Sequence, residues 1–489
     1  MAERGSNPMR VVVIGAGLTG LTAAYRAHRM ATTAGEPIEL VVLEANDRVG
    51  GAIWTTERSG FTLEGGADSF ITNKPWGVEL CEELGLSDRL ISADVKNRRS
   101  FVVRDGRLHP VPEGFVLMAP AKLGPFVTTP ILSLPGKLRA LFDLFIPRKR
   151  DDSDESLASF VKRRFGREVL DRLVQPLVGG IYTADPIDLS LKATLPQFLA
   201  MEKEYGGLIR AGLSRSRRGR SIDQESSGAR YGLFVTPRDG MATLPKTLAE
   251  ALPEGSLRLS TPVRRVGRVD SGRSGAWRIE LLDGRPIDCD RLVIATEAHA
   301  AARFLDGFDG ELAMQLRSIP YASSVIVQLA YRRDQVSHPL DGFGVVVPRI
   351  EGRPILAISF PSVKFPCRAP AGTVLFRVFV GGATQPELFD LDDDELQVIV
   401  RAELRSLLGV DGEPILVEIA RHARAMPQYN LGHLDRVAAI RKLEANHPGL
   451  ILAGNAFSGV GVPDCIRSGE LAAETALSET ADPAAPAAA

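Results

Sequence analysis

Val11-Val-Val-Ile-Gly15-Ala16-Gly17-Leu18-Thr19-Gly20-Leu21 reads as a buried strand, a tight glycine turn and the first turn of a helix. Gly15 permits the sharp turn, Gly17 lets a pyrophosphate approach the backbone, and Gly20 lets the helix pack against the strand. The helix N-terminus then aims unpaired N–H groups and a positive dipole end at the phosphates, so the whole turn is a candidate cradle. A lone GxGxxG is a weak signal, but its context strengthens it here. An Ala-rich helical run (21–31) follows, and a second strand, Ile38–Leu43, ends at Glu44. That acid lies about 20 residues beyond the glycines, where a carboxylate can hold a ribose hydroxyl.

The chain has 489 residues, enough for two or three domains. Its 44% hydrophobic and 24% charged content is that of an ordinary globular protein, and a net charge of −1 gives no electrostatic case for nucleic acid. The polar segment Met1–Arg10 holds no apolar signal region, and no apolar run is long enough for a membrane helix. The best candidate, Phe115–Ile146, is broken by Pro120, Pro125, Pro130 and Pro135 and by Lys122 and Lys137. It reads either as packed helices and a pocket wall or as a weak peripheral membrane contact. The four cysteines, Cys81, Cys289, Cys367 and Cys465, form no CxxC pair, and the seven histidines lack metal-ligand spacing. A soluble, cytoplasmic, metal-free chain is expected, as a monomer or a homodimer.

After Glu44, the stretch Ala45-Asn-Asp-Arg48-Val-Gly50-Gly51 offers a second close backbone approach, suited to a nucleotide with a bulky second half. A short strand and glycine loop, Gly60 to Gly66-Ala67-Asp68-Ser69, come next, then a helix from Trp76 to Leu84 ended by Gly85. Residues 99–112 read as a hairpin turning at Asp105-Gly106. Residues 114–205 are mostly helical, and 214–228 read as a flexible, basic surface loop. Strands are expected at 257–266, with Val263 inside, at 277–282 and at 291–296. Further strands fall at 325–329, 344–347, 355–360 and 374–380, followed by a helix over 392–408 and a strand over 415–420. Gly454-Asn455 and Val460-Gly461-Val462 then form another glycine loop before a helix over 465–475, and an Ala/Pro-rich tail ends the chain.

At this point the chain resembles the flavin-containing amine oxidase-like oxidases and, within them, the oxygen-dependent porphyrinogen oxidases. The features that carry the resemblance are the two glycine motifs above, Gly66-Ala-Asp68-Ser69, Gly180-Ile-Tyr-Thr-Ala-Asp185-Pro, Gly342-Phe-Gly344 and Val380-Gly381-Gly382-Ala. They continue with Pro427-Gln-Tyr429-Asn-Leu-Gly432-His433 and Gly454 to Asp464-Cys465-Ile466. The resemblance implies an α/β fold with an α+β substrate part: a discontinuous Rossmann-like FAD-binding domain with an inserted mixed-sheet substrate domain and a helical domain. The expected FAD-binding parts are 9–92, 232–302 and 446–480. The substrate domain would comprise 93–113, 190–231 and 303–445, the helical domain 114–189, and a disordered tail 481–489.

It also implies that non-covalent FAD oxidises coproporphyrinogen III or protoporphyrinogen IX to the porphyrin, with O2 as acceptor and H2O2 as product, in haem biosynthesis. Such chemistry is centred on the flavin, which agrees with the lack of any catalytic dyad or triad. Carried over by motif, Gly15 to Gly20, Glu44, Ala45, Arg48, Gly50, Gly51, Gly66 to Ser69, Val263, Gly454, Asn455 and Val460 to Val462 would hold the FAD. Val346 and Phe379 would sandwich the macrocycle, and the Gly180 carbonyl would face its pyrrole N–H groups. Mitochondrial and chloroplast members carry an arginine before the aromatic of the 99–103 strand, where this chain has Ser100 before Phe101. Arg98 and Arg99, with Lys96, are then the candidate propionate cations, or simply solvated charges. Tyr182 and Tyr429 read as pocket lining or as core, and Cys465 as a buried structural thiol. The alternatives are an amine or carotenoid oxidase on the same fold, or a non-enzymatic binding protein of the prenyl-GTPase chaperone kind.

Overall fold

Strand Arg10–Ile14 lies at the centre of a five-stranded parallel sheet, ordered Leu257–Arg258, Glu39–Leu43, Arg10–Ile14, Arg291–Ile294, Leu450–Leu452. The computed structural model describes residues 8–94, 99–120, 122–217, 233–269 and 276–478. Because side chains alternate along a strand, Val11 and Val13 face one layer and Val12 and Ile14 the other. The first layer contains helices Leu18–Ala34 and Val462–Leu477, with Leu21, Ala24, Ile466 and Ala476 in its core. The second contains Trp277 and Ile279 of a three-stranded antiparallel sheet, with Ala301, Leu312 and Ile440 of three helices. Both faces are therefore covered, which is why Val11 to Ile14 are all apolar and buried. Each fully buried Val or Ile contributes roughly 1.5–3 kcal/mol, so this strand is among the most firmly held parts of the chain.

A seven-stranded mixed sheet forms the second body of structure, ordered Leu416–Pro427, Tyr321–Arg332, Thr373–Gly381, Ala357–Ser359, Gly344–Val346, Ser100–Arg104, Arg107–Pro110. Its pairings are antiparallel except Gly344–Val346 with Ser100–Arg104. The 99–112 hairpin turns where expected, with Asp105 at φ 51° and Gly106 at φ 70°, the two positive angles that a type I′ turn demands. One face of this sheet is sealed by helix Asp393–Leu408, which starts with a reciprocal Asp392–Glu395 capping box. The opposite face meets a helical core built on Leu157–Arg164, Pro196–Tyr205 and a helix that runs from Arg167 through a π turn, Leu170–Val174, to Tyr182. Inside that core Arg164 is wholly buried, with Nε 2.5 Å from the equally buried Asp143 and further bonds to Glu202 and the Ile146 and Gly206 carbonyls.

Two expectations need correction. The strand read over 257–266 is two strands, because Ser260 takes a left-handed φ of 48° just before Pro262. Leu257–Arg258 joins the parallel sheet, and Val263–Arg268 joins the antiparallel one. Residues 214–217 complete a helix, Leu208–Arg217, because Leu208, Ile209 and Ala211 dock onto the helical core. The rest of the expected basic loop (218–228) and the tail (481–489) lie outside the described residues.

A Cβ added at Gly20 would sit 1.9 Å from the Gly15 carbonyl oxygen. Gly20→Ala should therefore cost about 1–3 kcal/mol through overpacking. Gly17→Ala, whose added carbon meets nothing within 4 Å, should cost less than about 1 kcal/mol. Denaturant titration of the two ligand-free variants measures both, and equal losses would contradict the close helix–strand approach.

Candidate functional site

The glycine turn has the shape its sequence demands. Gly15 has φ 101°, and its N–H reaches the Leu43 carbonyl at 2.8 Å. Gly17 caps a 17-residue helix without a capping side chain, which leaves the N–H groups of Leu18, Thr19 and Gly20 without intrahelical partners. The second glycine pair lies alongside. Gly50 donates to the Ala16 carbonyl (2.8 Å), its backbone bridges Gly17, and a Cβ on Gly51 would lie 3.3 Å from the Gly17 Cα. Glu44 is buried beside the turn, where its carboxylate accepts the Ala16 N–H (2.7 Å) and the Asn46 N–H (2.9 Å). Thr261 N–H and Ser260 N–H bond to the Glu44 and Asn46 carbonyls (both 2.8 Å), which brings half-buried Val263 to the same end of the sheet. Ala45 and Arg48 are exposed at the rim.

The C-terminal glycine loop comes to the same place. Thr19 donates its hydroxyl to the Cys465 carbonyl (3.0 Å), so the two helices begin side by side. Gly461 caps the 16-residue helix Val462–Leu477, again without a side-chain cap, with Val460 half-buried before it. Gly454 has φ 125° and donates to Ser468 Oγ (2.9 Å). Tyr429, stacked on His433 at 3.9 Å, donates its hydroxyl to the Asn455 carbonyl (2.6 Å) and accepts the Gly459 N–H (2.7 Å). Its ring is core and its hydroxyl staples the loop. Tyr182 is likewise packed into the helical core, its hydroxyl toward the Thr194 carbonyl at 3.3 Å. Burial pushes the Cys465 thiol up to about 12, which keeps it protonated at neutral pH.

A third segment, Gly65–Ser69, is held from the seven-stranded sheet. His422 donates Nε2–H to the Gly65 carbonyl (2.6 Å), and Arg377 donates to the Gly66 carbonyl. Ala67 is half-buried between them and Asp68. The Asp68 carboxylate lies 3.0 Å from Lys364 Nζ and 3.3 Å from Arg377, and Lys364 also donates to Ser69 Oγ (2.7 Å). Burial by itself would raise the Asp68 carboxyl, but the two cations hold it well below the usual carboxylate range. Sequence reasoning singled out Asp68 and missed Lys364, Arg377 and His422. A signal for one existed, since Arg377 interrupts an otherwise apolar strand, Thr373–Gly381.

Beside this loop the sheet presents an apolar strip. Pairing aligns Val102, Val346, Ala357, Phe379 and Ile326 in one row across five strands, on the face turned to the helical core. A Cβ on Gly180 would lie 3.9 Å from Val346, so the structure brings these two together, with Phe379 two strands along the same row. Gly180 is exposed in the last turn of helix Gln175–Tyr182, where carbonyls lack intrahelical partners, and the helix stops at left-handed Thr183. Two other substrate expectations are corrected. Phe101 pairs with Val345, one residue out of phase with the Val346 row, so its ring is buried on the opposite face against Leu340 and Ile358. Arg99 donates to the Asp341 carbonyl (2.7 Å) and pairs with its carboxylate, its guanidinium over the Phe101 ring, so it is not brought to the strip. Ser100 is the residue on the strip's face. Arg98 and Lys96 lie outside the described residues.

The arrangement fits a long dinucleotide. Two helix N-termini, both glycine-capped, start beside a buried carboxylate, and the position where a Gly17 side chain would point is open. Among the described residues, no group of three or more His, Cys, Asp or Glu is placed to hold a metal ion. Tyr429→Phe removes one hydroxyl from two partly buried backbone partners and should cost about 1–2 kcal/mol. A shift in the urea midpoint measures this, and an unchanged midpoint would deny the staple.

Residues 18–477 match the family described as flavin containing amine oxidoreductase. The coproporphyrinogen III oxidase of Bacillus subtilis (strain 168) is 34% identical over 468 residues, 96% of this chain and 97% of that protein. The coproporphyrinogen III oxidase of Propionibacterium freudenreichii subsp. freudenreichii is 36% identical over 511 residues, 97% of this chain and 92% of that protein. The crystal structure of a putative protoporphyrinogen oxidase from Exiguobacterium sp. 255-15 superposes with a TM-score of 0.84 at 30% identity, covering 96% of this chain and 99% of that one. The chain belongs to the flavin containing amine oxidoreductase family, and its cofactor is FAD.

Proposed function

We propose that this chain is a cytoplasmic oxidase that converts coproporphyrinogen III to coproporphyrin III in haem biosynthesis, with protoporphyrinogen IX as the other candidate substrate. The observation that carries this reading is the apolar strip Val346–Ala357–Phe379 with the Gly180 helix end at its edge, directly beside the Gly65–Ser69 loop. A flat, largely apolar macrocycle needs such a slot. The names of the two bacterial relatives point to the same substrate class. The strip holds one aromatic, Phe379, which gives little raw material for an amine cage.

The N–H groups from Gly17 to Gly20, with Gly51, would receive the pyrophosphate, Glu44 a ribose hydroxyl and Val263 the adenine, while the Ala16 and Gly50 N–H groups hold the turn itself together. Gly66 to Ser69, Gly454, Asn455 and Val460 to Val462 would border the flavin ring. Bound FAD would supply a two-electron oxidation with O2 as the final acceptor and H2O2 as product, so the six-electron loss from a porphyrinogen would take three rounds. Val346 and Phe379 orient the macrocycle and exclude water from it. The Gly180 carbonyl accepts a pyrrole N–H, which orients the ring and can take part in passing the proton outward.

Aerobic incubation with each porphyrinogen, followed by porphyrin fluorescence, tests this reading. Acceleration is expected, greater with coproporphyrinogen III, and the lack of it with both substrates on a flavin-loaded protein would reject the reading. Phe379→Glu should lower kcat/KM by ~100-fold or more while flavin absorbance is retained.

We also infer a weak peripheral contact with an anionic membrane surface. No helix among the described residues is long and apolar enough to cross a membrane. Helix Leu134–Leu141 and the turn after it nevertheless expose Leu134 (71%), Leu138, Phe142 and Phe145 (77%), with Arg148 and Arg150 exposed just beyond. Cosedimentation with phosphatidylglycerol vesicles should fall by about tenfold in a Phe142→Ser/Phe145→Ser double variant. Equal sedimentation of variant and parent would remove this contact.

A further inference from the structure

The grip on Gly65–Ser69 is electrostatically unbalanced. Asp68 is one carboxylate facing two cations, Lys364 and Arg377. The neighbouring acid, Glu64, pairs with Arg368 at 3.2 Å and also faces Arg377, so three cations meet two carboxylates. Burial lowers the pKa of His422, which therefore adds a hydrogen bond and no charge near neutral pH. Glu418, beyond Gln328 in the Arg377 row of the sheet, pairs with Arg58 (2.6 Å). Among the described residues the cluster therefore keeps one positive charge beyond its carboxylates, and it is nearly closed to water. Lys364 and Arg377 side chains are 11% and 3% exposed. Arg377 Nε is buried without a hydrogen-bond partner. In such a site a charge is little screened and acts on whatever borders the loop.

We propose that Lys364, acting with Arg377 through Asp68, is a positioning residue that both fixes the Gly65–Ser69 loop and raises the electron affinity of the flavin ring beside it. The proposal rests on the reading that this loop borders the flavin. A ring that takes up two electrons gains negative charge, and an excess cation nearby favours the reduced form. Lys364 comes from the short helix Pro361–Lys364, immediately after strand Ala357–Ser359 of the apolar strip, and Arg377 is two residues from Phe379 on the same face. The elements that shape the substrate slot thus also carry the charge that sets how readily its occupant is oxidised.

The test is the two-electron reduction potential of the bound FAD, read by equilibration with a redox dye in the purified holoprotein. Lys364→Met leaves Asp68 and Arg377 as a neutral pair. It should lower the reduced-to-oxidised ratio at fixed poise about tenfold, or ~30 mV for a two-electron couple. Lys364→Arg should restore the parent ratio to within about threefold. Asp68→Asn removes the anion and leaves two cations, so its potential should rise. A purely structural role predicts disturbance in the same direction for Lys364→Met and Asp68→Asn, and shifts of the same sign, or none, overturn the proposal. Should Lys364→Met release its FAD, Asp68→Asn decides by itself, with an unchanged or lowered potential counting against the proposal. If the reading of function is wrong instead, the parent protein fails to oxidise either porphyrinogen, which is a separate result from a parent that is active while its variants do not shift.

Discussion

Helix Leu18–Ala34 lies against the strand before it so closely that a Cβ on Gly20 would be 1.9 Å from the Gly15 oxygen. That backbone-to-backbone approach is possible only without side chains, and much else follows from it. It draws the helix N-terminus over the sheet edge, beside Glu44. It also lets the C-terminal helix come equally near, since a Cβ on Gly469 would be 2.5 Å from the Thr19 oxygen. Two positive helix ends thereby meet at one point although about 440 residues of chain separate them. Such a meeting suits an anionic group, as a phosphate is.

The seven-stranded sheet supplies what the parallel sheet lacks. Along Thr373–Gly381 the residues Arg377 and Phe379 share a face. Arg377 grips the Gly65–Ser69 loop, while Phe379 forms part of the slot. Positioning of the proposed cofactor loop and shaping of the proposed substrate surface are therefore coupled through one strand. Bending or shifting it by a single register step would turn both side chains to the wrong face. The cost of burying Lys364 and Arg377 is offset by Asp68 and by hydrogen bonds to Gly66 and Ser69. Loops built this way hold a fixed geometry, which a reaction guided by orientation requires.

Local chemistry was legible wherever a residue type has few conformational choices. Gly15, Gly50 and Gly454 take left-handed angles, Asp105-Gly106 turns a hairpin, and Asp392 with Glu395 starts a helix. Gly180 comes close to Val346, and Val346 shares a sheet row with Phe379 two strands away. The resemblance placed Phe101 less well, because motif proximity says nothing about which face of a strand a side chain takes. Arg99 found Asp341, a partner 242 residues away that no local pattern announces.

By itself the sequence determined the buried first strand, the glycine turns and the strand that ends at Glu44, because these depend on backbone sterics and on residues within a few turns of each other. Tertiary structure alone decided that His422, Arg377 and Lys364 hold the Gly65–Ser69 loop, that Tyr429 staples the Asn455–Gly459 loop, and that Arg99 is spent on an ion pair. Those contacts join segments far apart in the chain. Their energies exist only once two sheets have docked and water has been excluded between them.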